Sequence, residues 1–193
     1  MTTSTVVTQS RPNLIRWHYL WYVAAALGVM MAAILSHDSW FLNFVHVLCG
    51  LLWTGVDLFM GFVLGPILRQ VDISVRREVA LRLTPRLLFL MPTVAIITGT
   101  SGWFLAKDLG FMAVPWPAFG WVVAALTLVV LMTIQGLGLL TPTNVIVCLE
   151  LQKSKPDPAR ISSLMRRYFV ATAIQGTMQI LIIMIMARLV AGI

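Results

Sequence analysis

Apolar and polar positions fall in blocks along this chain rather than alternating residue by residue. Long apolar runs at about residues 17–36, 40–68, 87–106, 118–149 and 168–187 are separated by short polar connections. A bilayer core is crossed by about 20 apolar residues in helical form. Backbone groups in lipid must also be bonded within their own segment, which such runs achieve only as helices. The pattern therefore predicts an all-α fold, a polytopic transmembrane bundle of five spans. One transmembrane domain over residues 14–193 follows a Thr- and Ser-rich tail over 1–13, expected to be flexible and cytoplasmic.

The connections carry their own signals. Trp17, Tyr19, Trp21 and Tyr22 form an interfacial belt at the start of the first run, which reads as an uncleaved signal anchor. His37, Asp38 and Ser39 make a tight turn into the second run. Residues 69–86 read as a polar loop or short amphipathic helix carrying Arg69, Arg76, Arg77, Arg82 and Arg86. Pro92 is expected to kink the third span, where Thr98, Gly99, Ser101 and Gly102 are small packing residues. Pro115-Trp116-Pro117 suits a membrane surface, and the fourth span is expected to break or end near Pro142. Residues 152–167 are again polar and basic.

Composition agrees with this organisation. The chain is 59% hydrophobic and 11% charged, with mean hydropathy +0.90, too apolar for a soluble domain. Its net charge of +7 resides in the connections and does not read as a nucleic-acid footprint. The N-terminal tail and the second and fourth connections hold twelve Lys and Arg; the other side holds two, Lys107 and Arg188. The positive-inside rule then puts the N-terminus in the cytoplasm and the C-terminus outside, in a bacterial inner membrane. The two cysteines, Cys49 and Cys148, fall near opposite faces and read as packing residues rather than a disulfide.

Candidate chemistry concentrates on the second span. His46, Gly50, Trp53 and Asp57 share one helical face, with Met60 and Gly61 close by. From the predicted topology His46 lies near the outer boundary. Asp57 lies about 16 Å deeper, past the midplane. An ionisable residue inside a span marks a functional site by default. His46 reads either as a haem-iron ligand, with Gly50 admitting the ring edge, or as a histidine hydrogen-bonded between helices. Asp57 reads as a proton relay, a cation site or the partner of a basic group. Gln175 and Gln179, with Thr172, make a polar stripe on the fifth span that either bonds helices together or lines a pocket or ion path. His37 shares the depth of His46 and is either its second axial partner or a solvated turn residue; His18 belongs to the belt. The eleven methionines admit copper as an alternative ligand, although methionine also fills apolar helices. Walker, dinucleotide-binding, Cys-x-x-Cys-His and His-Glu-x-x-His motifs are absent from the sequence.

Several of these positions form a pattern. His46-x6-Trp53-x-Gly55 is followed by Arg86-Leu87, Pro92, Thr98-Gly99 and Trp103-Phe104-Leu105. Over about residues 44–106 this resembles the superfamily of CopD-type copper-resistance membrane proteins and HemJ-type protoporphyrinogen oxidases. The resemblance implies a helical bundle that binds haem b or copper through His46. It makes an oxidoreductase one option. HemJ-type proteins have four spans and a functional lysine after the Trp-Leu segment, where this chain offers only Lys107.

The leading expectation is thus a b-type haem protein for electron transfer or a membrane redox reaction, working with other membrane redox subunits. Its second axial ligand is His37, a methionine or none. The alternatives are a copper-handling or cation-translocating protein using His46 and Asp57, and a non-catalytic structural subunit.

Overall fold

A computed structural model describes residues 17–192 of the chain. The tail expected over residues 1–13 lies outside the described residues, as do Arg11 and Arg16. The described residues form five principal helices and no strand: α1 (Tyr19–Leu35), α2 (Ser39–Gln70), α3 (Ile73–Asp108), α4 (Phe119–Leu151) and α5 (Pro158–Val190). Helices α2 to α5 are long and apolar enough to cross a membrane, whereas α1, also apolar, has only 17 residues. At 1.5 Å per residue α1 is about 26 Å long, slightly less than a hydrocarbon core. Leu51, Ile134 and Met184 are among many large apolar side chains exposed on the outside of the bundle. That inversion of the soluble pattern fits a lipid environment.

Two helices, α2 and α5, start where an aspartate holds their free N–H groups. Asp38 caps α2 by accepting from the backbone N–H of Trp40 (2.9 Å) and Phe41 (3.5 Å). Asp157 does the same for α5 through Ala159 (2.9 Å) and Arg160 (3.2 Å). The second cap corrects the sequence expectation, because the basic stretch read as a connection up to Arg167 is helical from Pro158. Likewise α3 begins at Ile73, so most of the arginine-rich segment is a helical extension of the third span. Arg, Glu and Leu are good helix formers, and Arg82 pairs with Glu78 one turn earlier at 2.6 Å.

Prolines are absorbed rather than ending helices. Pro85 and Pro92 lie within α3, which remains helical past both. Helices α2 and α4 each contain a π-helical segment, Phe59–Leu64 and Gly136–Leu140, just before Pro66 and Pro142. A proline ring clashes with the carbonyl four residues back, and a wider π turn makes room for it. The fourth span therefore passes through Pro142 as one helix.

Helices α2 and α5 approach each other closely enough to bring backbone against backbone. A Cβ added at Gly61 would lie 2.6 Å from Ala173 Cα, and one at Gly65 would lie 2.9 Å from Phe169 Cβ. Gly61 and Gly65 are one helical turn apart, the small-xxx-small spacing that lets two membrane helices approach backbone to backbone. Gly176 reciprocates from α5, where a Cβ would meet Leu58 Cδ2 at 2.9 Å.

At the arginine-rich end two clamps fix the connections. Arg76 donates to the carbonyls of Val71 (3.0 Å) and Arg69 (2.8 Å) and to Ser162 Oγ (3.1 Å), joining the α2–α3 turn to α5. Glu150 receives Lys153 Nζ at 2.6 Å, lies 3.5 Å from Arg160 Nε, and accepts from the Asp157 N–H at 3.4 Å. It thereby closes the α4–α5 connection on itself. Glu150→Gln is expected to speed proteolytic cleavage within residues 152–157, read by limited proteolysis. An unchanged cleavage rate would mean that the clamp does not hold the loop.

Candidate functional site

The polar face of α2 does not meet a single partner. Near its start, His46 and Gly50 face α3. His46 Nδ1 lies 3.0 Å from the Thr98 carbonyl and 3.3 Å from Ser101 Oγ. A carbonyl only accepts, and the Ser101 hydroxyl already donates to Ile97 O at 2.5 Å. The proton of a neutral ring therefore belongs on Nδ1, leaving the lone pair on Nε2. Gly102 makes room for the ring: a Cβ there would lie 2.6 Å from His46 Cε1. Gly50 packs on Thr98, where an added Cβ would find Cγ2 at 3.4 Å.

Two turns further on, the same face of α2 turns toward a cavity of about 440 Å³. Its long walls are α3, from Leu87 to Trp103, and α4, from Val129 to Asn144; Trp53 and Asp57 of α2 and Tyr168 and Gln175 of α5 complete it. The first half of α4 packs chiefly on α5 while its second half reaches α3. This splaying leaves the crevice. Its lining residues Ile96, Trp103 and Leu137 are exposed on the outer surface of the bundle, so it opens sideways between α3 and α4. His46 is not among the lining residues.

Asp57 is the chemical centre of this cavity. It is fully buried, and its Oδ2 accepts from Gln175 Nε2 (3.2 Å) and Gln179 Nε2 (3.1 Å). Trp53, one turn earlier, turns toward the same carboxyl without reaching hydrogen-bond geometry. Asp57 Oδ1, Gln175 Oε1 and Gln179 Oε1 are buried without a hydrogen-bond partner among the described residues. All three are acceptors. The cluster thus lacks donors, and a proton on the carboxyl or a bound cation supplies what is missing. No Lys, Arg or His lies within ion-pairing distance of Asp57 among the described residues. The π-helical segments lie beside this site, one starting two residues after Asp57 and the other contributing Gly136, Leu137 and Leu140 to the wall. Such segments are frequent at functional sites.

The residues singled out from sequence thus divide into two groups. Asp57, Gln175 and Gln179 come together, and Trp53 stands beside them. His46 and Gly50 sit on α3 at another level. His37 is exposed at the tip of the α1–α2 turn with φ 53°, and His18 is exposed just before α1. Among the described residues no three His, Cys, Asp or Glu side chains gather as a metal site. Asn144, Tyr168 and Trp103, which sequence patterning did not single out for chemistry, line the cavity. Tyr168 sits at the edge of an apolar run and Asn144 lies two residues past Pro142, positions where patterning reads polarity as a boundary.

Comparison with protein-family models, with curated proteins and with solved structures finds no match.

Proposed function

We propose that this is a five-span membrane protein, N-terminus in the cytoplasm, that moves a proton or small cation through the Asp57–Gln175–Gln179 cluster. The observation that carries the reading is a fully buried carboxyl with no basic partner among the described residues, whose own Oδ1 and the Oε1 atoms of the two neighbouring glutamines lack hydrogen-bond partners. A buried acid costs several kcal/mol in lipid unless it is sheltered, and it persists in spans where protons or ions pass. The topology rests on the uneven distribution of Lys and Arg, and α1 serves as a slightly short fifth span.

The test is proton flux in liposomes under an imposed membrane potential. Wild-type protein should raise the flux well above that of empty liposomes, and Asp57→Asn should lower it at least tenfold. Equal flux through both proteins would contradict the reading.

A second reading follows from His46. Its Nδ1–H is held by a backbone carbonyl and Nε2 carries the lone pair, as in histidines that bind a metal through one ring nitrogen and are oriented through the other. His46 is the residue that would hold a metal there, through Nε2. The residues around it do not fit a haem seated in the cavity, which His46 does not line. A haem b held at His46 would supply one-electron chemistry, while Thr98, Ser101 and Gly102 would orient the ring. If this reading holds, a reduced-minus-oxidised visible spectrum of the purified protein shows a b-type signal that His46→Ala removes. A colourless protein from haem-replete cells would eliminate it.

A further inference from the structure

The crevice beside Asp57 has the features of a binding site entered from the membrane rather than from water. It is walled mostly by apolar side chains, opens between α3 and α4 at exposed Ile96, Trp103 and Leu137, and ends at a buried carboxyl. Pockets of this volume with a few convergent polar groups take small organic ligands. The polarity of the unsatisfied groups narrows the class. Every orphaned atom in the cluster is an acceptor, so the fitting head group is a donor; with no basic side chain opposite Asp57, a positive charge fits best. Trp53, Trp103 and Tyr168 add aromatic rings to the lining, and such rings favour organic cations.

We propose that the crevice binds lipophilic ammonium compounds, whose apolar body lies between α3 and α4 and whose N–H groups reach Asp57 in exchange for a proton. This rests on the reading of Asp57 as a proton or cation site and names the cation. In the exchange the ammonium keeps its own protons and pairs with the carboxylate. The proton leaving the carboxyl goes to bulk water, so each binding event releases one proton. Asp57 and Tyr168 are the only titratable side chains among the cavity-lining residues. Those contributed by α3 and α4 are neutral.

The experiment is calorimetric titration of full-length protein in lipid nanodiscs with 4-phenylbutylamine and its neutral counterpart 4-phenylbutanol. The amine should bind at least tenfold more tightly than the alcohol. Its affinity should rise with pH by up to tenfold per unit, as expected for competition with one proton, while that of the alcohol stays flat. Asp57→Asn should bring the amine down to the level of the alcohol. Gly99→Leu, which narrows the crevice where an added Cβ meets nothing within 4 Å, should weaken the amine at least tenfold without touching the carboxyl. Equal affinity for amine and alcohol, or amine binding indifferent to both substitutions, would overturn the proposal. Absent amine binding with Asp57-dependent proton flux intact overturns this inference alone; loss of that flux overturns the reading beneath it.

Discussion

Gly61→Ala is expected to be among the most damaging single substitutions in the bundle. Its new methyl group would stand 2.6 Å from Ala173 Cα and 2.7 Å from Ala173 N. Those are backbone atoms, so α2 and α5 must move apart rather than rotate a side chain. Overpacking of this kind costs about 1–3 kcal/mol, and the cost should extend to the hydrogen bonds from Gln175 and Gln179 to Asp57. Thermal unfolding in detergent should show a clearly lower midpoint than wild type. Gly55→Ala on the same helix is the control: an added Cβ there meets nothing within 4 Å, and alanine is the better helix former. It should leave the midpoint unchanged or slightly higher. Equal losses from both substitutions would mean that the α2–α5 seam is not the tight contact described.

Asp57→Asn should separate stability from function. An amide carries no charge to bury, and its Nδ2 donates to Gln175 Oε1 or Gln179 Oε1, both without a partner in the wild-type cluster. Rotating one glutamine amide through a half-turn presents that oxygen. Replacing a buried acid that has no basic partner by an isosteric, hydrogen-bonded neutral amide removes the desolvation cost of the charged form and should not destabilise the fold. The midpoint of thermal unfolding should therefore hold or rise while proton flux falls at least tenfold. A residue that costs stability where it sits, and whose removal abolishes activity, is the pattern expected of a functional group. A large drop in stability would instead assign Asp57 a structural role.

Much of the fold was legible because lipid imposes a coarse rule that apolar runs obey. All five runs became helices, with ends misplaced chiefly where arginine-rich stretches read as connections between spans. Charge density marks where a helix leaves the membrane; it does not mark where the helix ends. Asp157 at the start of α5 was the better signal, since its carboxylate accepts from the first free N–H groups and sets the N-terminus. Pro142 misled for a related reason: a proline forbids one hydrogen bond, and a π turn accommodates the loss without stopping the helix.

The site was half legible. A helical projection put His46 and Asp57 on one face of α2, yet projection does not say which neighbour that face meets at each depth. His46 meets α3, and Asp57 meets α5 and the cavity. Gln175 and Gln179 were visible as a polar stripe at four-residue spacing, but their convergence on one carboxyl oxygen depends on the tight α2–α5 seam. The signal for that seam, Gly61 and Gly65 four apart, lay in plain view within the same stretch. The crevice itself was not legible, because it arises from the way α4 leans from α5 to α3.

Infrared difference spectroscopy of the carboxyl carbonyl stretch, recorded on reconstituted protein across the pH range in which it stays folded, tests the central claim most directly. The account predicts a protonated-carboxyl band that changes across this range and is missing in Asp57→Asn. A spectrum with no such band, or with one that persists in Asp57→Asn, would contradict proton exchange at Asp57.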